Sequence, residues 1–195
     1  MRYSYQSTEN TPVWVLIGAN LFVFIATLII AGLDERLALA LSTLPQEPWT
    51  LVTSMFVHAG FWHIFSNMLM LFFFGTFLAQ LIGGKKVLWV YLIGGIVGNL
   101  VFLLFSYLGI GANAYTAVVG ASGAIFALGG TLAILRPRLP VYIFGLIPIP
   151  LWVYIILGLV LVSPGVAWQA HLGGLVTGLL AGLYFRKQFI SYRIR

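Results

Sequence analysis

A chain of 195 residues that is 61% hydrophobic and only 7% charged is far from a soluble domain, in which about 25% of residues are charged. It reads as an integral membrane protein. The net charge of +6 raises nucleic acid as a partner, but the placement of the cations accounts for the charge in another way. With no cysteine in the chain, disulfides and thiolate metal sites are excluded, and no metal or cofactor is expected.

In chain order, ten polar residues precede an apolar run from Val13 to Ala31. That run is too long for a signal-peptide core and is expected to stay as an anchor. A connection of about 30 residues, Gly32 to Trp62, follows and carries Trp49, Phe56, Phe61 and Trp62. Its apolar content implies packing against the bundle in the outer leaflet, where backbone groups need protein or water partners; an ordinary extracellular loop is the alternative. Length predicts further helices over 63–82, 87–108 and 122–135. Pro148 and Pro150 interrupt the fifth apolar stretch, so its helix is placed at 150–162, after an extended piece from Pro140 to Ile147. The sixth is placed at 166–185. The expected architecture is all-α, one domain over 1–195, a polytopic bundle of six transmembrane helices without an appended soluble domain. No repeat is visible.

Nine of the ten cations fall on one side of that bundle: Arg2, Lys85, Lys86, Arg136, Arg138, Arg186, Lys187, Arg193 and Arg195. Only Arg36 lies in the alternate connections, beside Asp34, Glu35 and Glu47. The positive-inside rule assigns the cation-rich side and both termini to the cytoplasm, most simply at the plasma membrane. The basic charge is thus a topology signal, and nothing remains for nucleic acid to explain.

Few polar residues lie within the apolar segments, and several converge. Ser122 precedes Arg136 by 14 residues and His171 precedes Arg186 by 15. At about 1.5 Å per residue, both lie about 21–23 Å from the basic face. In a hydrocarbon core ~30 Å thick that is roughly 7–9 Å below the opposite face. His63 and Asn67, spaced i,i+4, share one helix face near the same outer end. Intramembrane ionisable residues are costly and point to function. A serine hydroxyl becomes a nucleophile when a base accepts its proton, and a neutral imidazole suits that role. No carboxylate occurs in any apolar segment, so the site would be a Ser122–His171 dyad. His63 and Asn67 would donate hydrogen bonds to an oxyanion, with the Ser122 amide or its neighbours at a helix N-terminus.

Blander readings exist for each part. Gly120 and Gly123 suit a close helix crossing, as does the small-xxx-small pair Gly174 and Gly178. His63 and Asn67 could bridge helices, and Phe72-Phe73-Phe74 reads as lipid-facing or core. The packing and catalytic readings are compatible, since glycines would let two helices approach until Ser122 meets His171.

Gly120-Ala121-Ser122-Gly123, Ala170-His171-Leu172-Gly173-Gly174 with Gly178, and His63 with Asn67 after the loop histidine His58 together resemble the rhomboid family of intramembrane serine proteases. The resemblance runs from the first apolar segment to the last. It implies a six-helix membrane fold without extra helices, no cofactor, and transmembrane proteins as substrates. Cleavage near the outer face is expected, at a locally unwound helix with a small residue at the scissile bond. Two positions depart from common members. The first loop has Trp49-Thr50 in place of a Trp-Arg pair, and Phe126 stands where a tyrosine often stacks on the catalytic histidine. Two rival functions are a noncatalytic binder of transmembrane helices and a transporter relaying protons through His63 and His171. Missing carboxylates and repeat symmetry weigh against the transporter.

Overall fold

The computed structural model describes residues 10–143, 146–160 and 167–193. Thr11–Ile29 forms α1, with a proline in its first turn, where no intrahelical donor is lost. The following connection folds into two short helices, α2 (Leu33–Leu37) and α3 (Thr50–Thr53), and a 3₁₀ turn, Ser54–Phe56. Phe61–Ile82 is α4 and Gly84–Tyr107 is α5. Gly83 alone joins them, at φ +88°, a left-handed conformation that glycine adopts without strain. Ser122–Leu135 is α6, as the sequence predicts. Leu151–Val160 is α7 and Trp168–Arg193 is α8. Of these helices, α1, α4 and α5 are long and apolar enough to cross a membrane by length and composition, and α6 is a shorter apolar helix.

Two expectations need correction. The protein is mostly helical but not all-α. Pro140–Ile143 (β1) pairs antiparallel with Ile147–Pro150 (β2), Pro140 opposite Pro150. Proline at 140, 148 and 150 forbids a helical ladder yet is tolerated in an isolated two-stranded ribbon. The last helix also runs eight residues past Phe185, because Arg186, Lys187 and Gln188 are good helix formers that need no lipid. Elsewhere the helix ends move by three residues or fewer, while residues 161, 162 and 166 of the predicted fifth and sixth helices lie outside the described residues. So do Arg2 and Arg195.

The core is centred on α6, which is buried on nearly all sides. It packs on α8 with backbone against backbone. A side chain on Gly174 would run into the Gly123 carbonyl, and one on Gly178 into the Ala127 carbonyl. The Thr131 hydroxyl donates to the Gly178 carbonyl across the same seam at 3.0 Å. By contrast α1 is peripheral; its buried Asn20 donates to the Leu16 carbonyl and, at 3.3 Å, to the Tyr91 hydroxyl of α5.

The long first connection packs against the bundle as predicted. Thr50, Ser54, Met55, Val57 and His58 are buried. Asn99 of α5 donates to the Leu51 carbonyl at 2.8 Å and the Ser54 hydroxyl at 2.9 Å, so one side chain satisfies polar groups of the loop inside the fold. Leu39 and Val118 form an isolated antiparallel bridge, and the Gly120 amide donates to the Ser54 carbonyl. The connection is thereby tied to the segment that leads into Ser122.

Candidate active site

Ser122 is the first residue of α6. The amides of a helix's first turn have no intrahelical acceptor and point outward with the positive end of the dipole. His171 is in the first turn of α8, and the close α6–α8 crossing sets the two helix starts side by side. The His171 Nε2 lies 2.7 Å from the Ser122 Oγ. With the hydroxyl donating, Nε2 is the acceptor and the ring proton sits on Nδ1, which has no hydrogen-bond partner among the described residues. Among the described residues no carboxylate orients this imidazole. Instead Phe126, one turn into α6, stacks on it with centroids 4.4 Å apart and planes 17° from parallel. The histidine is 5% exposed, so its orientation is fixed by packing.

Gly120 is needed beside this pair. Its φ is +121°, and a Cβ there would approach the His63 Nε2 at 2.7 Å and the Ser122 Oγ at 3.8 Å. The missing side chain lets the His63 ring of α4 lie against Gly120, two residues before the serine. The Ala59 amide donates to the His63 Nδ1 at 3.3 Å, which makes Nδ1 the acceptor and leaves the proton on Nε2, the nitrogen that faces Gly120. The ring is thus preset as a donor toward the neighbourhood of Ser122. Asn67, 7% exposed, donates one Nδ2 hydrogen to the His63 carbonyl at 2.8 Å. The second hydrogen of that amide is free for a ligand.

A cavity of about 170 Å³ opens between α4, α6 and α7, lined by Asn67, Ser122 and Phe126 together with Met70, Phe74 and Tyr154. The Tyr154 hydroxyl of α7 meets the Met70 sulfur of α4 at 3.1 Å. Sequence reasoning missed Met70, Phe74 and Tyr154. For the first two a signal existed, since they follow Asn67 at i+3 and i+7 on the same helix face. Tyr154 had none, because the hairpin that aims α7 was not foreseen.

His58 lies behind His63, ring centroids 5.0 Å apart and edge-on. It is 4% exposed, and its Nδ1 meets the Phe56 carbonyl at 3.2 Å. Burial, reinforced by the charge His63 can carry, lowers its pKa from 6.5 to about 4, and the Phe56 carbonyl only partly offsets this. It is therefore neutral at pH 7. Among the described residues no group of three His, Cys, Asp or Glu is set to hold a metal ion.

The model of the Rhomboid domain matches residues 45–188, which takes in every residue of this site. The chain belongs to the rhomboid family. It is similar to RHOMBOID-like protein 1 of Arabidopsis thaliana, 37% identical over 143 residues, 72% of this chain and 35% of the relative. Similarity to Rhomboid protein 1, mitochondrial, of Saccharomyces cerevisiae is 33% over 159 residues, 75% of the chain and 44% of the relative. RHOMBOID-like protein 4 of Arabidopsis thaliana is 32% identical over 185 residues, 93% of the chain and 42% of the relative. The chain thus spans between a third and a half of the length of these relatives. As a rhomboid with long apolar helices it is an integral membrane protein.

Proposed function

We propose that this rhomboid is an intramembrane serine endopeptidase that cleaves other transmembrane proteins, with Ser122 and His171 as its catalytic dyad. The observation that carries the reading is the 2.7 Å Ser122–His171 hydrogen bond, with the buried His171 ring held by Phe126 stacking. Ser122 Oγ attacks the scissile carbonyl carbon while His171 Nε2 takes its proton. The carbonyl oxygen becomes an oxyanion, held by His63 Nε2–H, the free Asn67 hydrogen and the Ser122 amide. Collapse breaks the C–N bond, His171 returns the proton to the leaving amine, and an acyl-serine remains. Water, deprotonated by His171, then hydrolyses that ester and restores Ser122.

Six membrane helices, α1 and α4 to α8, complete this account, with both termini in the cytoplasm and the site near the outer face of a plasma membrane. Substrate would enter through the α4–α7 side, where the cavity opens, and present an unwound segment with a small residue at the scissile bond. A noncatalytic binder of transmembrane helices is the second reading; it has no use for a Ser–His hydrogen bond. A fluorophosphonate probe separates the two. It should label the wild type at Ser122, fail on Ser122→Ala, and react far more slowly with His171→Ala. Absence of labelling in a folded wild type would favour the binder.

A further inference from the structure

Far from the candidate site, α5 and α8 border a groove of about 370 Å³ toward their basic ends. Its walls repeat at helical spacing: Lys86, Trp89 and Ile93 on α5, and Thr177, Ala181 and Tyr184 on α8. From Lys86 to Ile93 on α5 and from Thr177 to Tyr184 on α8 the walls span about 10 Å each, most of the roughly 15 Å depth of one lipid leaflet. Below the mouth the walls are apolar apart from Thr177, whose hydroxyl donates to the Gly173 carbonyl. Only the mouth is charged, where the Lys86 ammonium stands 5.5 Å over the centre of the Phe185 ring.

Two further observations fix what this groove takes. Trp89 and Tyr184, one on each wall, are 62% and 61% exposed; amphipathic rings of this kind sit at the headgroup level of a bilayer. The mouth thus lies at the headgroup boundary and the apolar part beneath it. Next, among the described residues the cations at that end have no acidic neighbours: Asp34, Glu35 and Glu47 all lie in the first connection, toward the other end of the bundle. All four acidic residues, Glu9, Asp34, Glu35 and Glu47, precede α4, so neither α5 nor α8 carries a carboxylate to balance Lys85, Lys86, Arg186 and Lys187. A zwitterionic headgroup would bring its own cation into this cluster. An anionic one supplies the missing charge, with Gln188 beside it as a neutral donor.

We propose that the α5–α8 groove is a binding site for one anionic phospholipid, its phosphate at Lys86 and one acyl chain between Ile93 and Ala181. Because α8 also carries His171 and α5 carries Asn99, an occupied groove would fasten the helix that holds His171 to the helix that holds the first loop. The site is independent of proteolysis and would be present in a noncatalytic rhomboid.

The test is native mass spectrometry of the purified full chain offered phosphatidylglycerol and phosphatidylcholine with identical acyl chains. One phosphatidylglycerol should be retained in preference to phosphatidylcholine. Lys86→Gln should lower its retention about fivefold, the factor that one cation near an anionic leaflet is worth. Ala181→Phe, which fills the groove, should lower retention of the same lipid with Lys86 intact. Helical circular dichroism confirms that each variant is folded; should Ala181→Phe fail that check, Ile93→Ala, which widens the groove, takes its place and should weaken retention. Equal retention of the two lipids, or retention unchanged by Lys86→Gln or by a folded groove variant, would overturn the proposal.

Discussion

Histidines illustrate how one residue type takes different states in one site. The hydrogen bonds put the proton of His63 on Nε2 and that of His171 on Nδ1, so one ring faces Ser122 as a donor and the other as an acceptor. His58 touches neither the serine nor the cavity, yet it backs His63 and is held neutral. Its folded pKa, about 4, lies below the 6.5 of an unperturbed histidine. Between those values the unfolded chain binds a proton that the folded chain does not, so stability falls as pH drops from 6.5 to about 4. The slope is about 1.4 kcal/mol per pH unit at most. In unfolding titrations, His58→Gln should flatten that loss relative to wild type; an unchanged slope would mean that His58 stays protonated when folded. At this scale the sequence was informative where chemistry is rare. A serine and a histidine at one depth are conspicuous against lipid-compatible residues. Which hydrogen of Asn67 is free, and which nitrogen of His63 carries the proton, depended on the Ala59 amide and the His63 carbonyl, which no residue pattern specifies.

Among elements, the α6–α8 seam decides whether the site exists. Glycine at 174 and 178 permits backbone contact with Gly123 and Ala127, and this contact brings Ser122 to His171. Gly174→Ala should destabilise the fold by about 1–3 kcal/mol, the usual cost of overpacking. It should also reduce fluorophosphonate labelling of Ser122 in the molecules that remain folded. Normal labelling and stability would show that the seam tolerates separation. The helices α1, α4, α5 and α6 were legible because length and apolarity alone define them. The β1–β2 hairpin was not, since prolines announce only that a helix is interrupted and not what replaces it. The end of α8 was hidden for a related reason: hydropathy marks where lipid ends, whereas helix propensity carries the backbone onward through Arg186 and Lys187.

At the scale of the whole molecule, charge and fold agree on one direction. Lys86, at the start of α5, lies over Phe185, where the basic tail of α8 begins, so the α4–α5 turn and that tail share one end of the bundle. Ser122 and His171 begin their helices at the other end. Because the chain has no cysteine, single cysteines report topology without background. In intact cells a membrane-impermeant maleimide should label Tyr115→Cys, and should reach Lys187→Cys only after permeabilisation. The reverse pattern would place the site on the cytoplasmic side.

The central claim is that Ser122 and His171 together cut peptide bonds within the membrane. Its most direct test is cleavage of a fluorescently tagged single-pass substrate in liposomes by the wild type, Ser122→Ala and His171→Ala, each shown to be folded. Cleavage by the wild type alone, with both variants inactive, is the predicted result. Product formed by Ser122→Ala at the wild-type rate would contradict it.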